Sequence, residues 1–188
     1  IYQHARRLFS KCLALEPFFA PAWVAYGHSF AFHDESDQAL SAYRTVSRLF
    51  VASHLPWLFT GIEYLRTNSL GLASQCLDFA FGLAPGDPQV LNELGVVAFQ
   101  KRKYDDAIGF FSHAVRICST SSIRRRQLKI YYCNLGHALA KCWMSNDAVV
   151  AFRRAADLSQ GSADAGCLLG VAYVHHLCRD YHGAIEYY

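Results

Sequence analysis

Histidine, cysteine and neighbouring acidic residues are the side chains of this 188-residue sequence that could support chemistry. Cys133 and His137 are four residues apart, and His175 and Cys178 are three apart, so each pair would share one face of a helix. Thiolate and imidazole are zinc ligands, but a closed structural site needs four of them. Each pair offers two, and no Cys-x-x-Cys motif supplies the others. We therefore expect no metal site and no other cofactor.

Catalytic motifs are also missing from the sequence. There is no Gly-x-Ser-x-Gly elbow, no His-Glu-x-x-His motif and no phosphate-binding loop. Asp105 and Asp106 are adjacent carboxylates, but they stand where a helix is expected to begin, and there they favour the helix N-terminus electrostatically. We therefore expect no catalytic residues and a protein that is not an enzyme.

The charge of the chain restricts the classes of partner. A net charge of +3 is too mild to indicate nucleic acid or an anionic membrane. The densest basic run, Arg124–Arg126, has no basic stripe to extend it, so we interpret it as a solvated loop. The alternative is that this run contacts an acidic surface of a neighbouring protein.

The seven cysteines bear on the compartment. Most of them, such as Cys76 and Cys133, lie in apolar helical stretches. Free buried thiols in a reducing compartment are the simplest interpretation, which favours the cytoplasm or the nucleus. No apolar run approaches the roughly 18 residues that a membrane helix needs, so we expect no membrane partner.

Small residues recur along the sequence with a period of 34 residues. Gly136 and Ala148 both come 41 residues after the preceding member of their series, so two independent series place one seven-residue insertion at about residues 122–128. The regularly spaced members are Gly27, Gly61 and Gly95, and Ala39, Ala73 and Ala107.

A period of 34 residues is that of the tetratricopeptide repeat, a helical pair marked by tryptophan, glycine, alanine and proline. Gly27 and Ala39 are small because the two helices of a pair approach closely there. Pro17 and Pro85 end second helices, because proline lacks the N–H and restricts the residue before it. Stacked pairs bury a core that one repeat could not bury alone.

The sequence therefore predicts an all-α fold, a right-handed tetratricopeptide superhelix of antiparallel helix pairs whose first helices line a concave groove. We expect one array over residues 1–188, and a longer parent protein because the pattern is incomplete at both ends. The predicted parts are a second helix of a truncated repeat at 1–19, repeats at 20–53, 54–87 and 88–121, an inserted loop at 122–128, a repeat at 129–162 and an incomplete repeat at 165–188.

The residues between these marks carry a resemblance that the repeat consensus does not require. The distinctive stretches are Ala22–Ala31, His54–Tyr64, Ala84–Pro88, Asn92–Gln100 and Asn134–His137. Together they closely resemble the family of the sixth subunit of the anaphase-promoting complex (cyclosome), the cell-division-cycle protein sixteen family. The resemblance is dense over residues 17–100 and thinner afterwards.

The resemblance implies a non-catalytic scaffold subunit of a multisubunit ubiquitin ligase that acts in mitosis. It implies that the groove holds the extended N-terminus of a small accessory subunit of the cell-division-cycle protein twenty-six type. It also implies stacking on other tetratricopeptide subunits, and homodimerisation through repeats outside this sequence. We accordingly expect a protein of the nucleus and cytoplasm.

Counting along the first helices from each glycine predicts the residues of the groove. Their mixture of apolar and hydrogen-bonding groups suits an extended peptide, although some could simply pack. His28 and His137 each follow their glycine directly, which indicates either a repeated peptide contact or a hydrogen bond between helices. The predicted groove residues are Val24, His28, Phe32, Leu58, Ile62, Asn92, Val96, Phe99, His137 and Lys141.

A second hypothesis is a tetratricopeptide adaptor of another complex, such as a chaperone co-factor that clamps a C-terminal carboxylate. That function requires a basic groove. Arg66 and Lys141 are the basic residues on the predicted face, and they lie in different repeats. The sequence therefore favours the scaffold over the carboxylate clamp.

Overall fold

The computed structural model describes residues 2–119, 125–159 and 165–187, which form eleven α-helices. The prediction of an all-α fold of tetratricopeptide helix pairs is confirmed. The chain divides into two compact units, Ile1–Pro85 (unit 1) and Gly86–Tyr188 (unit 2). None of the helices described is both long enough and apolar enough to cross a bilayer.

Unit 1 contains five helices, in which each first helix packs against the second helix that follows it. The first and last of them stop two residues before Pro17 and Pro85, as predicted. The helices are α1 (Tyr2–Leu15), α2 (Ala20–Ala31), α3 (Ser36–Leu49), α4 (Leu55–Arg66) and α5 (Leu70–Leu83).

The described residues of unit 2 form six helices. The predicted loop at 122–128 is wrong in its second half, because α8 begins at Arg125 and extends the first helix of its pair by several residues. Residues 120–124, including Arg124, lie outside the described residues. The helices are α6 (Pro88–Gln100), α7 (Tyr104–Ser119), α8 (Arg125–Lys141), α9 (Ser145–Asp157), α10 (Ala165–Leu177) and α11 (Tyr181–Tyr187).

One residue with a left-handed backbone stands in the turn of each helix pair, with φ between 56° and 61°. The next residue donates its N–H to a carbonyl five positions back, as from Glu35 to Phe30 and from Lys103 to Ala98. This bond satisfies a carbonyl that the helix end would leave unpaired. The left-handed residues are Asp34, Asn68, Arg102, Trp143 and Arg179.

The repeated glycines lie directly under large side chains of the second helix. A Cβ at Gly95 would stand 2.5 Å from the Phe111 ring, and one at Gly61 would stand 2.6 Å from Leu77 Cγ. The repeated alanines are at most 2% exposed. These contacts fix the separation of the two helices, because a larger side chain at either position would require them to move apart. The alanines are Ala39, Ala73, Ala107, Ala148 and Ala184.

Candidate peptide-binding site

Two of the predicted groove residues belong to the core. Leu58 in α4 is 0% exposed and Asn92 in α6 is 3% exposed, so neither side chain can contact a partner, and these two predictions are wrong. Each lies three residues before its glycine. A step of four residues turns about 40° past a full helical turn. The predicted face therefore drifts around the helix, and at these two positions the side chain is buried, whereas Val24 at the same repeat position in α2 is half-buried.

The later positions of the same face remain at the surface. The residue directly after each glycine is half-buried in unit 1 and at Val96, and exposed at His137. Phe32 and Lys141, four residues further on, are exposed. The structure therefore keeps eight predicted residues accessible. They are Val24, His28, Phe32 and Ile62 in unit 1, and Val96, Phe99, His137 and Lys141 in unit 2.

His28 is engaged inside unit 1. Its Nδ1 lies 2.8 Å from the Tyr43 hydroxyl of α3, and its ring meets Phe59 edge-on at 4.4 Å between centroids. Burial lowers the pKa of His28, and Glu63 opposes that shift. The structure thus gives His28 the hydrogen bond between helices, the second of the two interpretations of its position.

His137 has the same place in its repeat but a different neighbour. The ring next to it is Phe152, at 4.9 Å between centroids and 78° between planes, and phenylalanine has no hydroxyl. Within the described part of the chain, neither ring nitrogen of His137 has a hydrogen-bond partner. Desolvation by the packed ring and the charge of Lys141 both lower the pKa of His137, so a neutral imidazole is available to donate or accept.

Asn134 belongs to a polar chain beneath the surface of unit 2. Its Nδ2 donates to Asn92 Oδ1 at 2.9 Å, and Asn92 Nδ2 donates to Glu93 Oε1 at 2.9 Å. Burial raises the pKa of Glu93, and the hydrogen bond from Asn92 opposes the shift. This chain satisfies the buried Asn92 amide and orients Asn134 with its Oδ1 available as an acceptor.

Two recesses meet at His137, and both lie within unit 2. The first holds about 290 Å³ and is lined by α6, α7 and α8. The second holds about 490 Å³ and is lined by α8 and α10. Both are apolar with a few polar groups, which suits a peptide side chain next to a peptide backbone. The first is lined by Val96, Phe99, Gln100, Phe111, Asn134 and His137, and the second by His137, Lys141, Gly166, Leu169, Gly170 and Tyr173.

Gly170 explains why the second recess is open. It occupies the repeat position that Phe59 fills in α4 and Asn134 fills in α8, two residues before the glycine position. Without a side chain there, Phe152 lies against the Gly170 backbone, since a Cβ would stand 2.6 Å from its ring. The opening beside His137 is therefore bounded by Leu169 and Tyr173 and not by a side chain at position 170.

The basic residues of the predicted face are already engaged. Arg66 donates to Ala31 O at 2.7 Å, to Asp34 at 2.8 Å and to Glu63 at 3.0 Å, so it ties α4 to the turn after α2. Lys141 Nζ donates to the Tyr173 hydroxyl at 3.1 Å. Arg66 is thus paired with carboxylates, whereas Lys141 contacts only a neutral hydroxyl, so the predicted face offers one uncompensated cation and not the cluster of cations that a carboxylate clamp needs.

Sequence reasoning missed several residues that line the recesses. Asn134 and Gln100 lie within the distinctive stretches of the sequence, but the count along the first helices did not include them. Leu169, Gly170 and Tyr173 lie in the incomplete last repeat. Transferring the position of Asn134 by 36 residues would have indicated Gly170. What the sequence could not indicate is that an absent side chain there opens a recess.

The other candidate chemistry is not assembled among the described residues. No cluster of three or more potential metal ligands occurs there. Cys133 Sγ lies 3.4 Å from Cys167 Sγ, so this thiol pairs with α10 and not with His137. His175 Nδ1 lies 2.8 Å from Asp180, and Cys178 donates to Ser145 at 2.9 Å. Asp105 and Asp106 lie exposed in the first turn of α7, as predicted.

Comparisons with known proteins identify relatives of this chain. The tetratricopeptide repeat family model matches residues 60–122. Anaphase-promoting complex subunit 6 of Arabidopsis thaliana is 41% identical over 94% of this chain and 32% of its own length. The cell division cycle protein 16 homolog of Homo sapiens is 37% identical over 99% of this chain and 30% of its own length.

A solved structure agrees with these relatives. The crystal structure of the APC/C hetero-tetramer Cut9-Hcn1 superposes with a TM-score of 0.89 and 37% identity, covering 99% of this chain and 35% of that chain. The chain thus spans about a third of the length of the relatives it matches.

Proposed function

Because the chain is homologous over most of its length to the subunit 6, cell division cycle 16 and Cut9 proteins of the anaphase-promoting complex, we propose that it is part of a scaffold subunit of this ubiquitin ligase. In this role it contributes binding surface and no catalytic group. The Cut9 structure also contains Hcn1, which supports a small partner for this chain as well.

The proposed site is the surface of unit 2 around His137, where two apolar recesses adjoin an unpaired imidazole. The ligand is the extended N-terminal segment of a small accessory subunit. Its backbone would hydrogen-bond to His137 and to Asn134 Oδ1, and its apolar side chains would enter the recesses beside Phe99 and Leu169. An extended peptide needs such alternation, because its side chains point in opposite directions along its length.

Calorimetric titration with a peptide copying the accessory subunit's N-terminus tests the proposal. We expect saturable binding to the protein. Affinity should fall about five- to tenfold in His137→Ala and in Asn134→Ala, because each loses one hydrogen bond of about 1 kcal/mol to the peptide.

His182→Ala is the matched control, since His182 is exposed on α11 and lines neither recess. It should leave the affinity unchanged. If all three variants remain folded by circular dichroism and bind as tightly as the parent protein, the His137 surface is not the peptide site.

The chaperone co-factor remains the alternative function. It would require Arg66 and Lys141 to hold a terminal carboxylate, and both are engaged within the chain. Amidating the C-terminus of a chaperone peptide should leave its weak binding unchanged if the chain is a scaffold. A large loss on amidation would support the clamp instead.

The proposal extends to the assembly. Other tetratricopeptide subunits of the complex are expected partners, and homodimerisation is assigned to repeats outside these 188 residues. The compartments are the nucleus and cytoplasm. Affinity purification of the tagged longer protein from dividing cells tests the expected partners, because it should recover the accessory subunit and the related repeat subunits together.

A further inference from the structure

A third recess, of different chemistry, lies in unit 1. It holds about 600 Å³ and is formed by α3, α4 and α5. Five of its residues carry the argument below: Arg44, Arg48, Val51, Trp57 and Leu72. We call it the arginine recess. It lies apart from the His137 surface in its helices and in its unit.

Two arginines one turn apart on α3 give the recess a positive charge. Arg44 and Arg48 are both exposed, and neither has a carboxylate within ion-pair distance in the described part of the chain. By contrast, Arg6 and Arg66 of the same unit each have a carboxylate oxygen at 2.8 Å. No acidic residue lines the arginine recess, so its charge is uncompensated locally.

The polar groups of the recess are mainly donors. Arg44 Nη2 donates to the Tyr64 hydroxyl at 2.9 Å, which leaves the hydroxyl proton of Tyr64 free to donate. The indole Nε1 of Trp57 is buried and has no partner among the described residues. Burial raises the pKa of the Cys76 thiol and Arg44 lowers it, so the positive field of Arg44 reaches into the recess. The two guanidinium groups and the unpartnered indole N–H are donors that suit an anionic group.

Apolar side chains lie beside the arginines. Val51 is 68% exposed and Leu72 is 47% exposed, and both line the recess. Trp57 packs against Phe79, with 4.5 Å between the ring centroids and 49° between the planes, and forms part of the wall. An occupant that matched this surface would carry an apolar side chain next to negative charge.

We propose that the arginine recess docks an acidic segment of a partner protein, with carboxylate side chains at Arg44 and Arg48 and an apolar side chain over Val51 and Leu72. Paired arginines hold carboxylates through charge-assisted hydrogen bonds, and the apolar contact gives register. This interaction is independent of the His137 surface, so its failure would leave the proposed function untouched.

Fluorescence anisotropy with a fluorescein-labelled Asp-Glu-Leu-Asp-Glu peptide tests the proposal on the folded protein. We expect saturable binding that weakens about tenfold or more in the double variant Arg44→Gln/Arg48→Gln and weakens further as salt is added. Replacing the peptide leucine with serine should weaken binding several-fold, because the apolar contact is lost.

The matched control is Arg153→Gln/Arg154→Gln in α9, which removes the same charge. Arg153, like Arg44, donates to a tyrosine hydroxyl, here Tyr187 at 3.3 Å. The control should bind the peptide as the parent protein does, with melting temperature confirming the fold of both double variants. Equal weakening in the two would overturn the proposal in favour of general charge attraction.

Two further outcomes also overturn it. One is absence of saturable binding by the folded parent protein. The other is binding only when serine phosphate replaces the carboxylates, since the recess would then be a phosphopeptide site. His137→Ala should leave the affinity for the acidic peptide unchanged.

Discussion

At the residue scale, two histidines at equivalent repeat positions differ in whether the ring that faces them carries a hydroxyl group. His28 lies 2.8 Å from the Tyr43 hydroxyl, whereas His137 packs on Phe152 and keeps both ring nitrogens without a partner among the described residues. His28 is half-buried and therefore needs this partner, whereas His137 is exposed and can bond to water or to a ligand. The surface around His137 therefore has hydrogen-bonding capacity to offer a ligand, and the surface around His28 has less.

Phe152→Tyr should give His137 the same hydroxyl neighbour that His28 has. The new hydroxyl would bond to His137, so the peptide of the accessory subunit would have to compete for that nitrogen. We expect an affinity about fivefold lower by calorimetry, equivalent to about 1 kcal/mol, with the melting temperature retained. An unchanged affinity would mean that His137 makes no hydrogen bond to the peptide.

The stability of the protein should depend on the protonation of His28. Burial lowers its pKa in the folded state, so the folded state favours the neutral ring. Below a pH of about 6.5 the unfolded chain takes up this proton first, and stability is lost as the pH falls towards the folded pKa. In urea denaturation, the loss between pH 7.5 and 5.5 should be smaller for His28→Phe than for the parent protein.

The comparison has an internal control. Between pH 7.5 and 8.5 the ring is neutral in both states, so the stability difference between parent and variant should stay constant. A difference that changes equally in both pH intervals would assign the effect to another group.

At the element scale, the helix pairs depend on contacts between a glycine and a large side chain sixteen residues later. Gly95 lies under Phe111 and Gly136 lies under Phe152. Each turn between paired helices contains one residue with a left-handed backbone, and even Trp143 adopts this conformation, with φ of 61°. Trp143 keeps the turn because the N–H of the next residue, Met144, donates to Leu139 O at 3.0 Å and offsets the cost of a left-handed backbone in a residue with a Cβ.

Gly95→Ala tests the close contact. A Cβ there would stand 2.5 Å from the Phe111 ring, so the helices must move apart or the ring must leave its position. We expect a loss of about 1–3 kcal/mol in the free energy of unfolding, measured by urea denaturation. Gly109→Ala is the matched control, since a Cβ there meets nothing within 4 Å. The control should gain about 0.5–1 kcal/mol from helix propensity.

At the scale of the whole molecule, two surfaces of opposite character occur in different units. The His137 surface of unit 2 is apolar, with the neutral groups of His137 and Asn134 and one lysine, Lys141, whereas the arginine recess of unit 1 carries two arginines. A scaffold that holds several partners needs surfaces that do not compete for the same ligand.

Hydrogen exchange should distinguish the two surfaces. The accessory-subunit peptide should increase amide protection in α8 and α10, and the Asp-Glu-Leu-Asp-Glu peptide should increase it in α3. Each peptide should leave the other set of helices unchanged. Protection of both sets by one peptide would show that the surfaces are coupled or that the peptide binds without selectivity.

The periodicity of small residues determined much of the fold by itself. Ala39, Ala73 and Ala107 are buried where the 34-residue step places them, and Pro17 and Pro85 follow helix ends as proline chemistry requires. The spacing predicted the position of the insertion but not its structure, since α8 begins at Arg125 and includes Arg126. A run of arginines is compatible with a loop or with a helix start, and nothing local decides between them.

The tertiary structure decided which residues of the predicted face can bind. Val24, Leu58 and Asn92 each lie three residues before their glycine, but Leu58 and Asn92 are buried and Val24 is half-buried, so the position in the repeat does not by itself set the exposure. The recess beside Gly170 and the unpaired arginines of α3 depend on what neighbouring helices place opposite them. Spacing along one helix fixes the direction of a side chain, whereas its accessibility is set by the packing of other helices, which the local pattern does not contain.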